Sequence, residues 1–274
     1  MALIPKQDLL HETIEGGLVK QKFRTYIGMS SLGGPCSRKI WYDFHWSYDR
    51  MITKRIERLF ERGDLEEARV VKDLKSVGVG VERALEHQME LVDDTGHIKG
   101  HPDGIATNVP GAEKTTHLLE IKTMNKKFFM LYKNKGLKLS NPGYWAQVHT
   151  YMGLLKLTRC LFCVTNKDNE ERHYERVKFD EQTYKECMSR GFDILTSEFI
   201  PKKIGEVTWF ECKFCSAKDI CHKGAKINRN CRTCQHHNIE NYGEWSCDLH
   251  LITLDKEEQM LGCPDYQLSE VFLK

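Results

Sequence analysis

A chain of 274 residues with a net charge of +2 and 40% hydrophobic residues can bury a sizeable core, as one large domain or two small ones. The near-neutral balance argues neither for nor against a polyanionic partner, and no apolar run approaches membrane-spanning length. With no secretory leader at its start, the chain is expected inside the cell, so its 11 cysteines are expected as metal ligands or core thiols rather than disulfides.

Residues 1–28 are mixed and are expected to hold a short helix. The run Ser30-Ser31-Leu32-Gly33-Gly34-Pro35-Cys36, followed by Arg38 and Ile40-Trp41-Tyr42, predicts a turn entering a helix with Ser30 or Ser31 as its cap. Apolar residues at Ile56, Leu59, Phe60, Val70, Val71 and Leu74 predict a long helix over 54–76. Strands are expected near 79–92, 97–107, 116–124, 159–165 and 171–179. A helix is expected at 142–155, where Pro142 suits a first turn, and another at 180–199. From Glu211 onward cysteine, histidine and polar residues dominate, which marks a cysteine-rich C-terminal region.

The strongest chemical signal is Gly100-His101-Pro102-Asp103-Gly104, followed by Leu118-Leu119-Glu120-Ile121-Lys122. On a strand, Glu120 and Lys122 project from one face while Leu119 and Ile121 point to the other. If the flanking segments pair, Asp103 lies beside Glu120, and two carboxylates there suit Mg²⁺ or Mn²⁺, which prefer oxygen ligands. Lys122 is then placed to orient an attacking water or to stabilise charge growing on a phosphate. Glu-x-Lys alone also occurs on solvated strand faces, so the weight comes from its surroundings.

Glu67 shares a helical stripe with Phe60, Gly63, Val71 and Leu74, with Glu66 beside it; a carboxylate on a buried stripe needs a cation or metal. Gln147 and Tyr151, four apart, share one face of the 142–155 helix, where Gln147 can meet the lysine or a substrate phosphate. Between Glu120 and Asp168 there is no acidic residue, while lysines alternate with Phe128, Phe129, Tyr132, Tyr144 and Trp145. That composition suits either a single-stranded DNA track or a solvated lysine-rich loop.

Cys160, Cys163 and Cys187 sit in apolar patterns and read as core thiols. Cys212-x₂-Cys215-x₅-Cys221 needs a fourth ligand for zinc or an iron–sulfur cluster, and Cys36 is the best unassigned thiol. Cys231, Cys234 and Cys247 read as zinc-like, with Cys263 as fourth ligand and His250, His236 or His237 as competitors. A metal there explains how a polar tail could fold.

Taken in order, Asp103, Glu120-Ile121-Lys122 and Gln147-x₃-Tyr151 resemble the RecB-like branch of the PD-(D/E)XK nucleases, and Glu61–Glu67 resembles that family's first helix with its metal-binding acid. Cys36 ahead of the core and Cys212, Cys215 and Cys221 behind it resemble the subset that carries a [4Fe–4S] cluster, known among CRISPR-associated and helicase-associated members. The resemblance covers about residues 29–222. It implies an α/β fold, a restriction-endonuclease-like core with a central mixed β-sheet flanked by helices, closed by a cluster that staples its two ends. It implies a Mg²⁺- or Mn²⁺-dependent deoxyribonuclease, an exonuclease on DNA ends or single strands in recombination, repair or viral DNA processing. Asp103, Glu120, Lys122, Gln147 and Tyr151 are then the catalytic set, and Glu67, Asp103, Glu120 and the Ile121 carbonyl the metal shell.

Where some relatives carry a histidine on the first helix, this chain has Glu67, and the region after 222 is not part of the family core. The expected division is an N-terminal segment 1–28, a nuclease core 29–222 and a zinc-binding tail 223–274. No Gly-x₄-Gly-Lys-Ser/Thr loop is present, so the enzyme would stand alone or join a separate helicase or recombination protein. Small stand-alone enzymes of this kind are commonly viral or mobile-element nucleases. The rival class is a non-catalytic DNA-binding or assembly module whose cysteine sites build a scaffold.

Overall fold

The computed structural model describes residues 9–82 and 89–273. In chain order, α1 (Leu9–Glu15), β1 (Leu18–Lys20) and β2 (Ile27–Gly28) precede α2 (Ser37–Phe44), β3 (Met51–Thr53) and the long α3 (Lys54–Ser76). Four strands follow, β4 (Gly80–Glu82), β5 (Leu91–Val92), β6 (Ile98–Gly100) and β7 (Gly104–Thr107), and then the central strand β8 (His117–Met124). After it come α4 (Lys126–Ser140), α5 (Pro142–Leu155), β9 (Arg159–Asn166), β10 (Arg172–Lys178) and α6 (Glu181–Leu195). Beyond 195 the elements are short.

The main sheet has five strands in the order β10-β9-β8-β7-β4. β8 and β9 are parallel, and the other pairs are antiparallel. A parallel pair needs a crossover, and α4 with α5 supplies it. Strand alternation then divides the core. Leu119 and Ile121 join Val70, Val71 and Leu74 of α3 on one face. Leu118 and Met124 join Phe129 and Tyr132 of α4 and Val148, Tyr151 and Met152 of α5 on the other. This is a mixed sheet flanked by helices. Each fully buried side chain of this size contributes about 1.5–3 kcal/mol.

Side-chain caps start the long helices. Thr53 Oγ1, Asn125 Oδ1, Asn141 Oδ1 and Asp180 Oδ1 accept from the backbone N–H three residues on, at 3.4, 3.0, 3.0 and 3.1 Å. The cap of α2 is Cys36, whose Sγ accepts from the Lys39 N–H at 3.4 Å. Ser30 and Ser31, expected in that role, lie in a 3₁₀ turn at Met29–Ser31.

The strands expected over 79–92 and 97–107 are each divided. β4 and β7 belong to the main sheet, whereas β6 pairs with both β2 and β5 in a second sheet. Pro102 lacks the N–H a ladder needs and parts β6 from β7. Residues 83–88 of the first segment lie outside the described residues. The lysine- and aromatic-rich stretch includes α4, broken at Gly136, where φ is +70°, and α5, which carries Tyr144 and Trp145. Phe129 and Tyr132 on α4 are fully buried, so they serve the core and cannot stack on a nucleic-acid strand. The helix expected to reach 199 stops at Leu195, and the Ser197 hydroxyl then bonds the Phe199 carbonyl to turn the chain.

Residues beyond 222 pack on the segment 25–48 through Arg232, which is 1% exposed. Its guanidinium donates to the Phe44 carbonyl at 2.9 Å, the Thr25 carbonyl at 3.1 Å and Gln259 Oε1 at 2.8 Å. It lies between the rings of Trp46 and Trp245, at 3.9 and 4.3 Å from their centroids. Arg232→Ala leaves these acceptors buried without a donor, at about 1–3 kcal/mol each. We predict a loss of at least about 3 kcal/mol in urea unfolding, with Arg232→Lys, which keeps charge but not the fork, falling between.

Candidate metal centre

The site forms where β7 and β8 pair. Gly104 is registered with Leu119, so Asp103 arrives beside the Glu120–Lys122 segment, and its Oδ2 accepts from the Ile121 N–H at 2.6 Å. Glu120 leaves the opposite face of β8 from Leu119 and Ile121 and is 1% exposed. Its Oε1 accepts from Lys122 Nζ at 2.5 Å and from Gln147 Nε2 at 2.8 Å. Its Oε2 is buried and has no hydrogen-bond partner among the described residues. A buried carboxylate oxygen left bare in this way calls for a cation or water.

Gln147 also donates to the Tyr151 hydroxyl at 3.1 Å, so α5 supplies a relay that holds the carboxylate from behind. Tyr151 is seated against Gly100: a Cβ there would lie 2.3 Å from its ring and 2.7 Å from Met29 Sδ. Only glycine permits that approach.

Burial raises the Glu120 carboxyl well above the usual carboxylate range, and Asp103 and Glu67 raise it further against the opposing pull of Lys122. Burial works against the charge on Lys122, but Glu120 and Asp103 outweigh it and hold the ammonium protonated. Three acids therefore crowd one lysine, an imbalance a divalent cation would relieve. The Lys122 side chain remains 21% exposed and lies 5.4 Å over the Tyr144 ring.

Glu67 is half-buried on α3 and lines a cavity of about 470 Å³ together with Ile121, Lys122 and Tyr144. The fully buried acid of that helix is its neighbour Glu66, bonded to Thr165 Oγ1 at 3.0 Å and to Arg172 at 2.9 Å. Phe60, placed on the buried stripe by its spacing, is 56% exposed. The stripe drifts outward toward the N-terminal part of α3, and this puts Glu67 at the cavity rim. Asp103, Glu120 and Glu67 do not bring their oxygens within 4.8 Å as a set of three. The acids that could hold an ion here are Asp103 and Glu120, with Glu67 on the wall of the adjoining cavity and close enough to act on Glu120.

The structure also brings together the distant cysteines. Cys36, Cys212, Cys215 and Cys221 line one cavity of about 390 Å³. Burial, joined by the nearby Cys36 thiol, pushes Cys215 and Cys221 upward. No three of these sulfurs lie within 4.8 Å of one another. Cys231, Cys234, Cys247 and Cys263 line a second cavity of about 250 Å³ with His250. His250 Nε2 lies 3.5 Å from Cys263 Sγ and 3.4 Å from Asp265 Oδ2. His237 bonds the Cys234 carbonyl at 2.5 Å and packs on Trp245, and His236 lies 3.3 Å from Gln235. Cys160, Cys163 and Cys187 are buried in the core, as their patterns imply.

Sequence reasoning missed Glu66, Tyr144 as a wall of the site cavity, and the pairing of Tyr26 with His101, whose Oη–Nε2 distance is 3.1 Å. Arg172, alternating with polar neighbours on an edge strand, was the one hint that a buried acid needed a partner.

No family model matches the sequence, and no curated protein matches it. Among solved structures, the alkaline exonuclease LHK-Exo from Laribacter hongkongensis is similar at 17% identity and a TM-score of 0.45, covering 62% of this chain and 86% of that one. Its complex with dAMP is similar at 18% identity and a TM-score of 0.47 over the same shares. The structure of SSO0001 is similar at 20% identity and a TM-score of 0.44, covering 75% of this chain and 90% of that one.

Gly100→Ala drives a methyl into the Tyr151 ring and should cost about 1–3 kcal/mol in urea unfolding. Tyr151→Phe, which removes only the hydroxyl, should cost about 1 kcal/mol.

Proposed function

We propose that this protein is a divalent-metal-dependent deoxyribonuclease, an exonuclease acting on DNA ends or single strands. The observation that carries the reading is the bare, buried Glu120 Oε2, on a carboxylate paired with Lys122, whose own side chain lines an open cavity with Glu67. Asp103, Glu120 and the Ile121 carbonyl hold Mg²⁺ or Mn²⁺, with Glu67 completing the shell; the all-oxygen donor set favours these hard cations. Bound there, the ion supplies Lewis acidity toward a phosphate oxygen and eases deprotonation of a water. Lys122, kept charged by its two acids, stabilises negative charge growing on the phosphate and orients the attacking water. Gln147 fixes the Glu120 carboxylate through Oε1, and Tyr151 fixes Gln147.

Cys36, Cys212, Cys215 and Cys221 hold a [4Fe–4S] cluster in this reading. What supports this is that all four cysteines line one cavity, where a cluster would take one thiolate at each corner. The cluster ties the start of α2 to the segment behind the core. Cys231, Cys234, Cys247 and Cys263 hold zinc, with His250 as the competing ligand. A core at 29–222 and a tail at 223–274 complete the proposed organisation, working on DNA inside a cell, with a helicase or recombination protein as partner. Among the described residues no helix is long and apolar enough to cross a membrane.

Asp103→Ala and Lys122→Ala should each lower Mg²⁺- or Mn²⁺-dependent cleavage of end-labelled DNA by at least about 100-fold, and chelator should abolish it in the parent. Undiminished cleavage by both variants would refute the assignment. Protein purified without oxygen should be brown, with visible absorbance abolished in Cys212→Ser; a colourless, zinc-loaded first group contradicts the cluster.

A further inference from the structure

From the end of β1 toward β2 the exposure alternates: Lys20, Lys22 and Arg24 are exposed, while Gln21, Phe23 and Thr25 are half-buried. The segment is pinned along its length. Gln21 N–H donates to the Arg50 carbonyl at 2.8 Å, Phe23 stacks on Trp46 at 5.3 Å, and Trp46 Nε1 donates to the Arg24 carbonyl at 2.6 Å. The alternating exposure and these contacts hold the three cations on the solvent side of one pinned segment.

Lys256, from the short helix Lys256–Leu261 of the cysteine-rich region, closes the other side of a groove of about 570 Å³. Among the described residues no carboxylate lines this groove. Lys20 pairs with Asp49 at 2.8 Å, but among the described residues no carboxylate pairs with Lys22, Arg24 or Lys256. Gln21 and Arg24 line both this groove and the cavity that holds Glu67 and Lys122. Lys22, Arg24 and Lys256, without carboxylate partners among the described residues, thus line a groove that adjoins the cavity beside the candidate metal centre.

We propose that this groove is the path along which the backbone of a nucleic-acid strand reaches the metal centre, with Lys22, Arg24 and Lys256 contacting successive phosphates. The proposal rests on the nuclease reading for its destination. It gives the cysteine-rich region a second task, since that region supplies Lys256. It also moves the track away from α4, where Lys133 is paired with Glu171 at 2.6 Å and Lys138 with Asp180 at 3.5 Å.

The test is the affinity of the full-length protein for a fluorescein-labelled single-stranded DNA oligonucleotide, read by anisotropy in chelator over a range of salt. The double variant Lys22→Glu/Lys256→Glu should bind at least tenfold more weakly at low salt. The slope of log affinity against log salt should flatten by about 0.7 for each phosphate no longer neutralised. Lys22→Gln/Lys256→Gln should flatten it similarly with a milder weakening, and serves if charge reversal prevents folding. Lys126→Glu/Lys127→Glu, on the exposed start of α4, should retain the parent slope. Parent-like affinity and slope in both groove variants, or a weakening confined to the α4 variant, overturns the proposal. Hydrolysis of bis(para-nitrophenyl) phosphate with Mn²⁺ reads the metal centre without the groove. If the parent is inert there, the nuclease reading fails by itself; if groove variants hydrolyse it normally yet bind DNA as the parent does, only the groove fails.

Discussion

Burying Glu120 beside two other acids is the constraint to which the rest of the site answers. A carboxylate withdrawn from water is costly unless its oxygens are matched. Here Lys122 and Gln147 satisfy one oxygen and leave the other bare. The neighbouring elements are arranged to sustain that state. β7 delivers Asp103 in fixed register, its Oδ2 held by the Ile121 N–H. α5 delivers Gln147, and the absence of a side chain at Gly100 lets Tyr151 brace it. Strand, helix and glycine are in this sense one device for holding a buried carboxylate with one oxygen bare.

A second constraint joins the ends of the chain. Arg232 is buried with no carboxylate partner among the described residues and is satisfied by two backbone carbonyls, a glutamine and the faces of two tryptophans. The segment it grips, residues 25–48, also carries Cys36 and follows the basic row at Lys20–Arg24. The first cysteine cavity, the Arg232 anchor and the basic row that lines the proposed groove thus share one stretch of chain. Disturbing the tail should therefore reach the groove through packing, without touching the metal centre itself.

The site was legible where a short-range rule governed it. Period-two alternation placed Glu120 and Lys122 together, and helical spacing paired Gln147 with Tyr151. Asn141-Pro142 marked the start of α5, and the run 116–124 became β8. Long-range partnership was not legible. Glu66 is the buried acid because Arg172 and Thr165, about a hundred residues away, meet it, and no local pattern separates it from Glu67. The lysine-rich stretch was ambiguous because its aromatics serve the core: Phe129 and Tyr132 face inward from α4. Pro102 broke a run that reads as one strand, and Cys36 took a capping role usually filled by serine.

Anomalous diffraction from crystals soaked in Mn²⁺ is the sharpest test of the proposal that Asp103 and Glu120 hold a divalent cation. One strong peak is expected between the Asp103 and Glu120 carboxylates and the Ile121 carbonyl, absent from Glu120→Gln crystals. A Mn²⁺ peak elsewhere, or none at this site under conditions that support DNA cleavage, would contradict it.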